Sequence, residues 1–240
     1  MELLELKNRI CEEFLGTDKD LQEILQIVEK DQAVFPFNEY EHLICNLIEK
    51  KGLSYDQYIE IRSDYIAQNP NLWIFEISAP RGFGEKFAQT YIHAMCHKLV
   101  KPNRNLDSEY TGQYDIWLDG IKIEVKASRG VESKSDEPLY IKALSRKTGK
   151  NFLMNFQQLK PQCCDVFIWV AVFRDEIILW VLNSDEVKNN EFFSKGQHRG
   201  NKGNEGQLHI NQNNIHTLDK YKFKEGGDLG LFIKQAALRR

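Results

Sequence analysis

No run of apolar residues in this 240-residue chain approaches the roughly 18 that a membrane-spanning helix needs, so no helical membrane anchor is expected within it. The opening segment, MELLELKNRICEEF, is acidic and has no basic stretch leading into an apolar one, so it lacks the make-up of a signal peptide. Cysteine is sparse. Cys11, Cys45, Cys96, Cys163 and Cys164 are odd in number and irregularly spaced, which argues against a disulfide framework and for reduced thiols in a cytoplasmic protein. There is no internal repeat and no low-complexity tract. An overall positive charge is missing too: 32 Lys and Arg against 35 Asp and Glu leave −3, which removes the simplest argument for a nucleic-acid partner.

The distribution of charge restores that argument in part. Residues 1–79 carry 7 basic and 16 acidic side chains, residues 80–185 carry 15 and 13, and residues 186–240 carry 10 and 6. Positive charge is therefore concentrated after residue 79, and a local basic surface binds phosphate whatever the global sum. The same boundary appears in the pattern of residues. Residues 1–79 are poor in glycine and show helical periodicity in LQEILQIVEK and YEHLICNLIEK. Breaks follow near Pro70 and Pro80. Two regions are expected: a helical one over 1–79 and a core over 80–240.

Within the core, a helix is expected from Gly84 to about Leu99, with Phe87, Tyr91, Ala94 and Met95 on one face. FLMNFQQLK reads as a short helix before Pro161. DVFIWVAVF is nearly all apolar, as in a central strand covered on both faces, and EIILWVL follows as its antiparallel neighbour. The order predicts an α/β fold with a mixed central sheet flanked by helices.

The stretch YDIWLDGIKIEVKAS holds the chemistry. Asp119-Gly120 between alternating apolar runs is a strong signal for a two-residue type I′ hairpin. Such a turn sets Leu118 opposite Ile121, Ile116 opposite Ile123 and Asp115 opposite Glu124. Ile116, Leu118, Ile121, Ile123 and Val125 then share the core face, while Asp115, Trp117, Lys122, Glu124 and Lys126 share the other. Directly opposed side chains have Cβ atoms roughly 5 Å apart, and like charges there destabilise a sheet. Two carboxylates held together point to a shared proton or a shared cation.

Asp115 followed by Glu124-Val125-Lys126 on a hairpin, with a helix before and a buried strand behind, resembles the PD-(D/E)XK nuclease superfamily, most closely its type II restriction endonucleases. The resemblance covers about residues 84–183, and Tyr114 stands where the motif has proline. It implies that Asp115, Glu124 and the Val125 carbonyl bind Mg²⁺ and that Lys126 orients or polarises the attacking water. It also implies sequence-specific hydrolysis of double-stranded DNA to 5′-phosphate and 3′-hydroxyl ends, within a restriction-modification system. Chemistry suits the positions, because Mg²⁺ takes hard oxygen ligands and commonly uses one or two carboxylates. Glu85, on the preceding helix, is a further catalytic candidate, since family members often add an acid from there. The alternatives are a repair or junction-resolving nuclease and a non-catalytic DNA-binding protein on the same scaffold.

Two basic segments are the candidate DNA-binding surface. The stretch after the hairpin brings Arg129, Lys134, Arg146 and Lys147. The glycine-rich segment SKGQHRGNKGNEG brings Gln197, His198, Arg199, Asn201, Lys202 and Asn204, the side-chain types that read bases. A homodimer is the default for palindromic sites. Gln157 and Gln158 are weaker candidates for contact near the site. The HAMCH segment, with His93, Cys96 and His97, lacks a second ligand pair for zinc and reads as structural.

Overall fold

In the computed structural model, residues 3–14, 16–17, 19–23, 36–80, 82–196 and 205–239 are described. Of the two helical runs read in the first part of the chain, YEHLICNLIEK lies in α2 (Pro36–Glu49), with α1 (Leu3–Glu12) before it and α3 (Tyr55–Gln68) after it, whereas LQEILQIVEK lies largely outside the described residues. α3 begins at a capping box: Ser54 Oγ accepts the Gln57 N–H at 3.2 Å and Gln57 Oε1 accepts the Ser54 N–H at 2.8 Å, satisfying two donors that a helix start leaves open. It ends at Asn69, just before Pro70. A 3₁₀ turn over Leu72–Glu76 follows. A π-helical stretch, Gly82–Ala88, then runs into α4 (Gln89–Met95). The helix expected to reach about Leu99 stops at Met95, where Cys96 turns extended. Along it, the Phe83, Phe87 and Tyr91 rings stack in succession at 5.9 Å spacing.

The hairpin comes next, as β1 (Ile116–Leu118) and β2 (Ile121–Arg129). Its register is the one Asp119-Gly120 dictates, with Ile116 opposite Ile123 and Leu118 opposite Ile121. Asp119 at φ 48° and Gly120 at φ 94° both take the positive φ of a type I′ turn. β2 continues through Gly130 into β3 (Val131–Glu132). The Phe173 ring lies 2.5 Å from where a Cβ on Gly130 would be, so only glycine fits this crossing. The remaining elements are β4 (Phe152–Leu159), β5 (Val166–Val172), β6 (Ile177–Asn183), α5 (Ser184–Lys188), β7 (Phe193–Lys195), β8 (Gly206–Asn211) and α6 (Leu229–Leu238).

The strands form two sheets. The first, ordered β1-β2-β5-β6, is mixed: β2 and β5 are parallel, and the outer pairs are antiparallel. The second, β3-β4-β8-β7, is antiparallel. Every residue of β5 is buried, as its apolar run requires. Val166, Ile168, Val170 and Val172 pack with α1 to α4 and α6, whereas Phe167, Trp169 and Ala171 pack against β4 and β8. The mixed sheet thus has helices on one face and the second sheet on the other. The fold is α/β. Among the described residues no helix is long and apolar enough to cross a membrane.

One expected element is corrected. FLMNFQQLK is a strand, β4, not a helix. Phe152, Phe156 and Leu159 sit at helical spacing, but Phe152, Met154 and Phe156 also alternate, and both periods fit so short a run. The strand period holds up to Phe156. A bulge at Gln157-Gln158, with Gln158 at φ 55°, then turns Leu159 back into the core. Pairing with β8 and the uncovered face of the mixed sheet decide between the two periods, and neither is local.

Candidate active site

Asp115 stands at the point where β1 leaves β2. Its N–H still donates to the Ile123 carbonyl at 3.0 Å. Two residues further along β2, the ladder partner is no longer backbone: the Val125 N–H donates to Asp115 Oδ2 at 2.9 Å. The carboxylate replaces a main-chain acceptor and is fixed by it. The N–H and C=O of one strand residue point to the same side, so the Val125 carbonyl also faces Asp115. Two carboxylate groups and one carbonyl oxygen therefore converge where the strands part.

The Glu124 carboxyl is within hydrogen-bond reach of the Asp115 carboxylate and shares its face of β2 with Lys126. That face is not solvated. Glu124 is paired across the sheet with Phe167 and Lys126 with Trp169, both core residues between the two sheets. The Lys126 ammonium reaches Glu124 Oε1 at 2.6 Å, with both side chains less than a fifth exposed. Burial pushes the Glu124 carboxyl up to about 7. Lys126 opposes the shift, and the neighbouring Asp115 charge adds to it. The fold therefore favours the protonated form of Glu124 within the acid pair.

The strand entry is anchored by Tyr114, which is buried. Its hydroxyl donates to Asp107 Oδ2 at 2.9 Å, and Lys122 Nζ bridges to the same carboxylate at 2.9 Å. Burial first, and then Asp107, raise the Tyr114 phenol above its ordinary range. The Lys122 N–H in turn donates to Asp165 Oδ2 at 2.8 Å. These ties hold the loop before Asp115 against the start of β5.

The other candidates are scattered. Glu85 belongs to the Gly82–Ala88 turn that packs against β2, and its side chain lies outside the described residues. Arg129 is on the helix side of β2, opposite to Glu124 and Lys126. Its guanidinium donates to the Ile74 and Ile77 carbonyls at 3.1 and 2.7 Å and covers the Phe83 ring at 4.1 Å. Burial lowers it to about 10. Arg129 is thereby engaged in fixing the helical layer. Arg146 is half-buried at the far end of β5, where its N–H donates to Asp175 Oδ1 at 2.7 Å. It lines a cavity of about 240 Å³ with Glu176, Trp180 and Lys222. Lys134 and Lys147 are exposed. Gln197, His198, Arg199, Asn201, Lys202 and Asn204 lie outside the described residues.

One group was missed in the sequence. Lys160, at the end of β4, pairs with Glu205 at 2.9 Å and lies within the electrostatic reach of Glu124. Reading 152–159 as a helix hid it, because only a strand brings Lys160 back along β2. Among the described residues no three His, Cys, Asp or Glu side chains gather as a metal site; the hairpin itself offers two carboxylates and one carbonyl oxygen. A comparison with protein-family models gives no match, and neither does one with curated proteins.

Proposed function

We propose that the protein is a Mg²⁺-dependent endonuclease that hydrolyses double-stranded DNA at specific sites, a type II restriction enzyme of the PD-(D/E)XK kind. The observation that carries this reading is the hairpin geometry. The Asp115 and Glu124 carboxyl groups meet on a half-buried face, β1 departs beside them, and the Lys126 ammonium is 2.6 Å from Glu124. A solvated decorative hairpin has no reason to hold two acids and a lysine out of water, where unpaired charge is costly.

The donor set fits the metal. Asp115, Glu124 and the Val125 carbonyl are hard oxygen donors, few enough to leave Mg²⁺ the waters it retains. When bound, Mg²⁺ stabilises charge on the phosphate and lowers the pKa of its water. Asp115 is already oriented by the Val125 N–H, so it needs no rearrangement. Glu124 would hold the cation in place of its proton. Lys126 then turns its ammonium to the attacking water and to the negative charge growing on the phosphate, in a water-poor face where such help is strongest. Water adds at phosphorus, the bond to the 3′-oxygen breaks, and 5′-phosphate and 3′-hydroxyl ends result. The role puts the enzyme in the cytoplasm with its DNA, and two copies match a palindromic site.

The test is incubation of the protein with phage DNA and Mg²⁺. Discrete fragments support the reading. An intact phage genome together with cleavage of branched duplexes would favour a repair or junction-resolving nuclease. Binding of duplex without cleavage of either substrate would leave a DNA-binding scaffold.

A further inference from the structure

The turn between β4 and β5, Pro161–Cys163, is tied to the start of β2. Asp165, just after it, donates its N–H to the Lys122 carbonyl at 2.8 Å and accepts the Lys122 N–H on its carboxylate at 2.8 Å, two residues before Glu124. The Asp165 carbonyl accepts the Ser184 N–H at 3.0 Å, and the Ser184 hydroxyl donates to the Cys164 carbonyl. Ser184 in turn lines a cavity of about 410 Å³ whose charged walls are Asp185, Lys188, Lys195 and Glu205. A chain of hydrogen bonds thereby joins this cavity to the strand that carries Glu124 and Lys126.

Lys160 links the two as well. Its ammonium is 2.9 Å from Glu205 on the cavity wall, and the Glu124 charge reaches it too. The pair with Glu205 is not needed to join β4 to β8, because Leu159 and Gly206 already pair there in the sheet. Nor does it add much stability: Lys160 is 45% exposed and Glu205 22%, and ion pairs open to water contribute little. The Glu205 backbone is fixed, since its carbonyl accepts the Gly196 N–H at 2.8 Å. Its carboxylate and the lysine ammonium end flexible side chains. Lys160 is thus a cation near the acid pair, held by an exchangeable partner. A phosphate oxygen offers the same ammonium a charge-assisted hydrogen bond. Lys188 and Lys195, both exposed, extend positive charge along the cavity.

We infer that this cleft carries the DNA backbone away from the acid pair, and that Lys160 leaves Glu205 to contact a phosphate flanking the scissile one. The inference rests on the endonuclease reading. It makes Glu205 a competitor of the substrate and not a structural anchor, so the two partners have opposite effects on binding.

The experiment measures binding of a fluorescently labelled duplex by anisotropy, at two salt concentrations and with Ca²⁺ in place of Mg²⁺ as the hard cation. Thermal unfolding is recorded alongside, for the parent, Lys160→Ala, Lys160→Arg and Glu205→Gln. Lys160→Ala is expected to weaken binding about tenfold and to reduce the salt slope by about one. Lys160→Arg keeps the cation and recovers most of the affinity. Glu205→Gln frees the ammonium and tightens binding about twofold to fivefold, the strength of an exposed ion pair. All three variants unfold near the parent. A merely structural ion pair gives another pattern: Lys160→Ala and Glu205→Gln weaken binding alike, or both leave it unchanged. Either result overturns this inference, and cutting of phage DNA by the parent would still leave the endonuclease reading standing. A parent protein that neither binds nor cuts duplex overturns both.

Discussion

Two hairpins lie in the same sheet and are built to opposite ends. In β5–β6 seven residues pair with seven, from Val166 with Asn183 to Val172 with Ile177, and Trp169 faces Trp180 at its middle. Backbone pairs with backbone throughout, and nearly every side chain is buried. In β1–β2 only three pairs form before the ladder stops, and the next acceptor is the Asp115 carboxylate. Beyond it come two opposed acids and a lysine. The first hairpin stabilises the fold. The second gives up ladder bonds and sets like charges face to face in order to keep a polar opening, and it stands because β5 and the second sheet support it.

The comparison breaks most visibly at Lys126. On the proposed endonuclease reading, Lys126→Ala is expected to lower cleavage about 10²- to 10⁴-fold with circular dichroism unchanged. Cleavage within a few fold of the parent would remove Lys126 from the chemistry. In the other hairpin the expected order reverses. Trp180→Ala, at 1% exposure, should lose about 3–5 kcal/mol in denaturant unfolding, while the fraction that stays folded still cuts. A smaller loss of stability would mean that the indole is not the packing centre described above.

Asp115 separates its two duties. Asp115→Ala removes the acceptor of the Val125 N–H, so a loss of about 1–3 kcal/mol is expected. Asp115→Asn keeps an oxygen there and should unfold close to the parent, yet both variants should lose cleavage. Equal stability of the two would show that the Val125 hydrogen bond contributes little.

A further difference concerns pH. Without metal, the Glu124 carboxyl is raised from 4.5 to about 7. The fold therefore favours its protonated form. The associated stability is complete below about 4.5 and is lost as pH rises through about 7. Glu124→Gln stays neutral and lacks that slope, so it should gain on the parent between about pH 5 and about pH 8. Parallel stability curves for the two proteins would contradict a raised Glu124.

Much of this was legible in the sequence. Asp119-Gly120 fixed the hairpin register from Leu118–Ile121 to Ile116–Ile123, because a type I′ turn leaves no freedom; the ladder ends before Asp115, whose carboxylate takes the Val125 N–H instead. The all-apolar run of β5 and its return through β6 were equally plain. β4 was not, because Phe152, Phe156 and Leu159 satisfy a helix as well as a bulged strand. The second sheet was hidden with it: β3 and β7 are two and three residues long and exist only through distant partners. The engagement of Arg129 was hidden for a similar reason, since the Ile74 and Ile77 carbonyls that hold it are distant in sequence. Local chemistry reads locally, and tertiary partners do not.

The acid pair itself is tested most directly by calorimetric titration of Mg²⁺ into the protein with a duplex present, at about pH 8, where the proton no longer competes. Expected is one binding event in the parent that disappears in Glu124→Gln and in Asp115→Asn, while Lys126→Ala keeps it. The same heat of binding in all four proteins would mean that the opposed carboxylates hold no metal.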